Sequence, residues 1–408
     1  MIKEVNSISG DDFAKIREGW RGWAGGGGAI ELDLTSSASI EAWLTAYSGS
    51  YACSSVIWVK DNLGVYNEIP INKPGIYGAR WDGSDFYNTD AGGDPITGGM
   101  GLAEWPQATN VVTSASYRDF THAEWTAANG SVTAGNVVLI DGTTVADKNT
   151  LTASGANCTL IHDVYTSASG THAAGFFIKR KTGTGVVEVC VDNGATWVDV
   201  TTQVDSDSGW HLTQTTLPTV TDPQLGVRLV TSGDAVYLDW AQMDDGKTLV
   251  SVHPIEGGAT KEVQVFAGAD ATNMATLITN TSGAIYVESQ LLPNDTTNGI
   301  AQIFANGVRI LYSTNESLLA TDGTNSRTMP LGLIGYSKSV FYWGGSVMQI
   351  TSNTSSSSTS TYDGALGTGA LYIGSYNAGG SGGFNGVISK IIFYPRDPKT
   401  QAEWETIT

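Results

Sequence analysis

The chain has 408 residues, with 50 Gly, 12 Trp, 15% charged residues and a formal net charge of −19. The length fits two or three domains of roughly 100–200 residues each. An acidic chain repels phosphate, which excludes a basic nucleic-acid groove, and no run approaches a membrane-spanning length. Long 3.6-period apolar patterns are missing while Ser, Thr and Gly abound, so the expected fold class is all-β.

Residues 1–28 read as an N-terminal anchor or arm. They show no apolar h-region, so no secretion signal is expected. Asp11 to Arg21 fits a short helix with Phe13, Ile16 and Trp20 on one face, and Gly25 to Gly28 break it. Residues 29–110 read as a small β-rich attachment domain. Ala29 to Leu34 alternates apolar and acidic residues, and the runs Ser55–Lys60 and Val65–Ile69 flank an Asp-Asn-Leu-Gly turn, a hairpin signature. Trp81 to Gly101 is turn-rich and carries Asp82, Asp85, Asp90 and Asp94. Hard oxygen ligands of this kind suit Ca²⁺, but the EF-hand spacing and its terminal Glu are missing. A solvated loop is the expectation, with no cofactor.

Residues 111–255 carry at least seven strand-like runs separated by turn signals, the pattern of a β-sandwich. Val137 to Val145 turns at Asp141-Gly142, and Val186–Val191 turns at Asp192-Asn193-Gly194 into Thr196–Val200. Residues 256–408 read as a second sandwich. Asn306-Gly307 between Gln302–Ala305 and Val308–Tyr312 is the strongest short hairpin signal in the chain. Near the end, Val387 to Tyr394 is dense in β-branched and aromatic residues, bounded by Gly and Pro. It is too apolar to face water on both sides and is expected at the centre of a sheet.

Three segments in order carry a resemblance over about 130 residues. Tyr117 to Trp125 looks like the opening of carbohydrate-binding-module-like sandwiches found in bacteriophage fibre and head-decoration proteins. Gly175-Phe176-Phe177-Ile178-Lys179 resembles an inner strand of that type. Gly233 to Met243 resembles its closing strand, departing from it with Met243-Asp244 where Leu-Glu is usual. The last 40 residues, with strand Ala370–Gly374, a glycine loop, Val387–Tyr394 and Pro395-Arg396, resemble the end of a laminin-G or concanavalin-like jelly roll. These resemblances imply two tandem antiparallel sandwiches of jelly-roll type behind an attachment region. They imply a bacteriophage virion protein, a tail fibre, receptor-binding or capsid fibre component, made in the host cytoplasm. Its partners would be other virion proteins, through the N-terminal region, and host cell-surface glycans. A homotrimer is implied, whose multiple weak contacts would combine by avidity. The alternatives are a purely structural capsid decoration protein and a virion-associated polysaccharide-degrading enzyme.

Catalytic chemistry is thinly represented. Cys53, Cys158 and Cys190 are odd in number and lack metal-ligand spacing, so small core residues are expected. The five His residues show no zinc-binding pattern. Gly379-Gly380-Ser381-Gly382-Gly383 spells G-x-S-x-G, but a nucleophile elbow needs a strand before it, a helix after it and a partner His. The expectation is therefore not an enzyme. Sugar faces rich in C–H stack on exposed aromatics while Asp and Asn take the hydroxyls. Loop-like aromatics that fit this role are Trp81, Tyr87, Tyr362, Tyr376 and Phe384.

Overall fold

The computed structural model describes residues 30–46, 50–53, 55–97, 99–104, 108–145, 149–162, 170–221, 223–245, 254–261, 265–268, 282–291 and the later strands named below. The arm 1–28, the G-x-S-x-G stretch and the tail after Tyr394 lie outside them. The protein is all-β: among the described residues only Ser37–Ala46 and Thr201–Val204 are helical, and no helix is long and apolar enough to cross a membrane.

The strand Gly386–Tyr394 takes the central place its composition requires, in a nine-stranded sheet. On one side it pairs with Ser282–Leu291, which pairs with Tyr336–Gly344 and then Val347–Ser352, and the short strands Ser355–Ser356 and Ser360–Thr361 both pair with Val347–Ser352. On the other side it pairs with Ile30–Asp33 (Ile30 opposite Phe393) and with Gly101–Glu104 (Val387 opposite Ala103). Ile76–Tyr77 continues beyond Gly101–Glu104. Ile391 and Phe393 enter the main core with Leu32, Ile285, Val287 and Phe341. Ile392 and Tyr394 point the other way, against Ala284, Tyr286 and Val340. A register shift at Glu288/Ser289 lets Ile388 join the main core despite its odd spacing from Ile391. A Cβ on Gly101 would stand 2.4 Å from the Ile388 carbonyl oxygen, so this close backbone approach needs glycine.

A seven-stranded sheet joins Ser50–Ala52, Val265–Gly268, Leu371–Ile373, Asn298–Ile303, Arg309–Ser313, Ser317–Thr321 and Ser326–Pro330. Gln302 lies opposite Arg309, the pairing expected around Asn306-Gly307. Ile373 of this sheet reaches the main core. The segment 29–110 keeps two hairpins of its own, Ile57–Lys60 with Tyr66–Ile69 and Arg80–Trp81 with Phe86–Tyr87. It also lends four strands to the two C-terminal sheets. The helix Ser37–Ala46 starts where Ser36 Oγ accepts from the Ser39 amide at 3.3 Å, and it buries Ile40 against the main core.

Between these strands the chain builds a separate sandwich. One five-stranded sheet runs Trp125–Ala128, Cys158–His162, Gly226–Leu229, Val187–Cys190, Val198–Asp199. The other runs Gly130–Thr133, Thr150–Ala153, Ala235–Asp245, Gly170–Thr182, His211–Val220. Leu160, Phe176, Val189, Val227 and Leu238 meet between them, every second residue of each strand, as a half-buried sheet dictates. The hairpin turn has positive φ at Asn193 (57°) and Gly194 (75°), the conformation that makes Asn-Gly its signature.

The chain leaves for this sandwich along Ala108–Thr109 and returns along Thr260–Lys261, and the two segments pair with Thr260 opposite Thr109. Asn110 locks the junction. Its side-chain Nδ2 donates to the carbonyls of Ala241 (3.1 Å) and Ile255 (2.8 Å). Its Oδ1 accepts from the amides of Val112 and Met243, both at 3.1 Å. A fully buried amide with all four bonds made is a rigid clasp.

The sandwich is also held through one sheet face. Trp240 meets Trp58 edge-on at 4.9 Å and Tyr117 at 5.2 Å, and Tyr66 meets Phe177 at 5.3 Å. Trp58 and Tyr66 come from the Ile57–Lys60/Tyr66–Ile69 hairpin, and the Tyr66 amide donates to the Ile140 carbonyl at 2.8 Å. Burial raises the Tyr66 hydroxyl above the usual tyrosine range, with Tyr77 adding to it. Beside this contact Arg118 grips Asp239 through Nε at 2.8 Å and Nη2 at 3.2 Å, and Asp141 through Nη1 at 2.7 Å. Its guanidinium also covers Trp240 at 4.9 Å. Burial works against the Arg118 charge, but the two carboxylates more than offset it and hold its pKa above the ordinary value. Cys53, Cys158 and Cys190 are free thiols, all buried. Burial pushes the Cys190 thiol up to about 12, which leaves it without thiolate character at neutral pH.

Candidate functional site

Of the five aromatics singled out by sequence, Trp81 and Tyr87 are described; Tyr362, Tyr376 and Phe384 lie outside the described residues. Trp81 and Tyr87 share one hairpin, with Arg80 opposite Tyr87 and Trp81 opposite Phe86. Neighbouring residues on a strand face opposite ways, so the two rings sit on opposite faces and cannot grip one ligand together. Trp81 packs on Phe86 at 4.6 Å with Lys73 Nζ 5.3 Å from its ring. Lys73 is tied to Asp85 at 2.7 Å. Tyr87 carries the Arg80 guanidinium 4.3 Å from its ring.

Two carboxylates of this region, Asp82 and Asp90, cap their own turns. Asp82 Oδ1 accepts from the amides of Ser84 and Asp85 and from Ser84 Oγ, each at 2.9 Å. The Asp85 amide, then the Ser84 bonds, hold the Asp82 carboxyl well below the usual range. Asp90 Oδ1 accepts from the amides of Gly92 (2.8 Å) and Asp94 (3.0 Å). These are Asx-turn caps, the local bonds that place Asp in turns.

A second surface was not foreseen from sequence. One sheet of the inserted sandwich is docked through Trp240 and Phe177; the other faces away. Across that outward face the register aligns Ala128, Thr159, Arg228, Glu188 and Asp199 in one row. A parallel row holds Thr126, Ile161, Gly226 and Cys190. The half-exposed indole of Trp197 lies beside these rows, with the Arg228 guanidinium 4.6 Å from its ring. Arg228 Nε in turn donates to Glu188 Oε2. A Cβ on Gly194 would stand 3.0 Å from Trp197 Cζ2, so glycine lets the turn lie against the indole. The result is a flat platform: an aromatic flanked by a neutralised cation, carboxylates and threonine hydroxyls. It offers stacking and hydroxyl bonds, and the thiol on this face, Cys190, is buried with its pKa raised. The alternation through Trp197, Val198 and Asp199 after the Asn193-Gly194 turn was the available signal, since it sets Trp197 on the same face as Cys190.

One cluster in the sandwich has the residue types of a hydrolase. Ser116 Oγ lies 3.0 Å from His162 Nε2, and Glu124 Oε2 lies 3.2 Å from the same nitrogen. A relay needs the acid on the opposite ring nitrogen from the nucleophile. Here both crowd one nitrogen, and Ser116 and His162 are fully buried. Thr113 Oγ1 donates to Glu124 at 2.6 Å and Trp125 Nε1 donates to the Ser116 carbonyl at 2.9 Å. The cluster staples the first turns of the sandwich to its sheet.

No protein-family model matches the sequence, and no curated protein matches it. Some solved structures align with part of the chain. The sialidase module CBM40 of Ruminococcus gnavus is 14% identical, covers 33% of this chain and 86% of its own, and has a TM-score of 0.28. The same module bound to alpha2,6 sialyllactose is 13% identical, covers 35% of this chain and 92% of its own, with a TM-score of 0.30. Trypanosoma rangeli sialidase in complex with 2,3-difluorosialic acid is 13% identical, covers 31% of this chain and 22% of its own, with a TM-score of 0.27.

Proposed function

We propose that the protein is a non-enzymatic surface component of a bacteriophage virion that contacts host glycans. The observation that carries the glycan part is the outward sheet of the inserted sandwich. The module is clamped by one face and presents the other, on which Trp197, Arg228, Glu188, Asp199 and Thr159 lie together. Saccharides bind such surfaces by stacking C–H faces on an indole and bonding hydroxyls to fixed carboxylates. The virion setting and homotrimeric state rest on the sequence resemblance of Tyr117–Trp125, Gly175–Lys179 and Gly233–Met243. In that setting residues 1–28 attach the protein to the particle. A laminin-G-like closing module rests likewise on the resemblance of the last 40 residues.

A glycan array probed with the full chain tests the reading. Binding to a defined set of glycans, reduced about tenfold or more by Trp197→Ala, supports it; a loss of that size matches one lost stacking contact. An array with no signal ends the glycan reading. One observation favours a purely structural decoration role. Trp81, Tyr87 and Trp197 each have a cation of this chain against the ring, which stiffens a surface without any ligand. A blank array together with particles that lose thermal resistance without the protein would favour that role.

A further inference from the structure

Under the docked sheet lies a group of polar atoms that the fold leaves unserved. Asn149 is 2% exposed and Thr150 is fully buried. Among the described residues, Asn149 Oδ1, Asn149 Nδ2 and Thr150 Oγ1 have no hydrogen-bond partner. The three atoms belong to two consecutive side chains, and a buried polar group is costly until a partner serves it. The backbone beneath them is firmly placed: the Leu238 amide donates to the Asn149 carbonyl at 2.8 Å, and Thr150 pairs with Thr133 and Tyr237.

Gly135 packs directly against them. A Cβ on Gly135 would stand 2.1 Å from Thr150 Oγ1, 2.5 Å from Asn149 Oδ1 and 3.1 Å from Tyr237 Cε1. Gly135 belongs to the irregular stretch 134–136, whose neighbours Ala134 and Asn136 are exposed. The chain just beyond is pinned. Trp210 Nε1 donates to the Val138 carbonyl at 2.8 Å, the Ile140 amide to Asp239 Oδ2 at 3.1 Å, and Arg118 Nη1 to Asp141 Oδ2 at 2.7 Å. The half-exposed Tyr237 ring stands at the margin, with Lys181 Nζ 5.3 Å from its centroid.

We propose that Asn149, Thr150 and Tyr237 form a saccharide-binding recess, which Gly135 closes in the free protein and which opens when residues 134–136 lift. This adds a second site, on the sheet opposite Trp197, and rests on the glycan reading. The side chains match the chemistry. An amide offers one donor and one acceptor side by side, the complement of two adjacent sugar hydroxyls, and Thr150 adds a third partner. Tyr237 supplies the aromatic face for the ring's C–H groups. A bound sugar would serve the Asn149 and Thr150 atoms that have no partner among the described residues, so its binding and the lifting of Gly135 favour each other.

The test uses the full chain and four probes: glucose, galactose, N-acetylglucosamine and sialic acid, read by saturation-transfer NMR. Wild type is expected to give transfer with at least one probe. Asn149→Leu and Thr150→Val, which replace unserved polar groups by apolar ones of similar shape, are expected to lose it at least tenfold while melting no lower than wild type. If Asn149→Leu fails to fold, Thr150→Val decides alone. No transfer to wild type from any probe, or transfer retained by the folded variants, overturns the recess. Array binding that survives in Asn149→Leu but falls in Trp197→Ala would overturn the recess and leave the glycan reading standing; an array blank for wild type ends both.

Discussion

Replacing Arg118 by Met should weaken the inserted sandwich severely. Asp239 is 1% exposed on its side chain and Arg118 only 23%, so the pair is nearly dry. Met fills similar volume but leaves the Asp239 carboxylate with the Ile140 amide as its remaining bond described here, at 3.1 Å. Stranding a buried charge costs about 3–5 kcal/mol, and the partial exposure of Arg118 argues for the lower end, about 3. For a unit of this size each kcal/mol moves the melting temperature by about 2–4 °C, so the variant should melt roughly 10 °C lower at neutral pH. The deficit should depend on pH with a definite sign. Burial already raises the Asp239 carboxyl above its ordinary value, against the pull of Arg118, and removing Arg118 removes that pull. A carboxyl whose folded pKa lies above its unfolded one favours the fold at low pH, an advantage lost as pH rises through the folded value. The gap between variant and wild type should therefore narrow as pH falls from 7 toward about 4. Thermal melts across that range decide the matter. A drop under about 1 kcal/mol, or a gap that does not change with pH, would refute a dry carboxylate here.

Trp58→Ala should cost about 2–3 kcal/mol, below a fully buried Trp because Trp58 is only half-buried. It should also split one calorimetric transition into two, since Trp58 on Trp240 couples the two modules. Burial works to raise the Glu124 carboxyl, but hydrogen bonds from Ser116, Thr113 and His162 outweigh it and hold it below the usual range. Its contribution is present above the ordinary carboxylate value and is lost as pH falls through the depressed one. Wild type should thus lose melting temperature faster than Glu124→Gln as pH drops below about 4.

Local structure was legible because its determinants are local. Asp141-Gly142, Asn193-Gly194 and Asn306-Gly307 each sit between runs that do pair. The two-sided burial of Val387–Tyr394 followed from its composition alone. The helix Ser37–Ala46 was hidden because it is short and weakly amphipathic: Ala38, Ala42 and Ala46 lie among Ile40, Trp43 and Leu44 and blur the polar face. The partners of Gly386–Tyr394 were hidden too, since nothing in Ile30–Asp33 or Gly101–Glu104 names a strand some 300 residues away. The site was less legible than the fold. Trp81 and Tyr87 are adjacent in the hairpin yet face apart, a fact of register. Trp197 meets Arg228 across a turn and two strands, and Asn149 reads as one more loop asparagine until Gly135 is seen above it.

The paired segments Ala108–Thr109 and Thr260–Lys261 have a kinetic consequence. The outer sheets join strands before the sandwich to strands after it, so the host cannot register until a loop of roughly 150 residues has closed, at about 4 kcal/mol of chain entropy. Once the sandwich has folded, its two ends already lie side by side and that entropy is gone. Folding should therefore be ordered, with residues 111–245 acquiring amide protection in pulsed hydrogen exchange before 282–394. A destabilised sandwich would then slow assembly of sheets to which it contributes no strand, and equal protection rates in both regions would contradict this order.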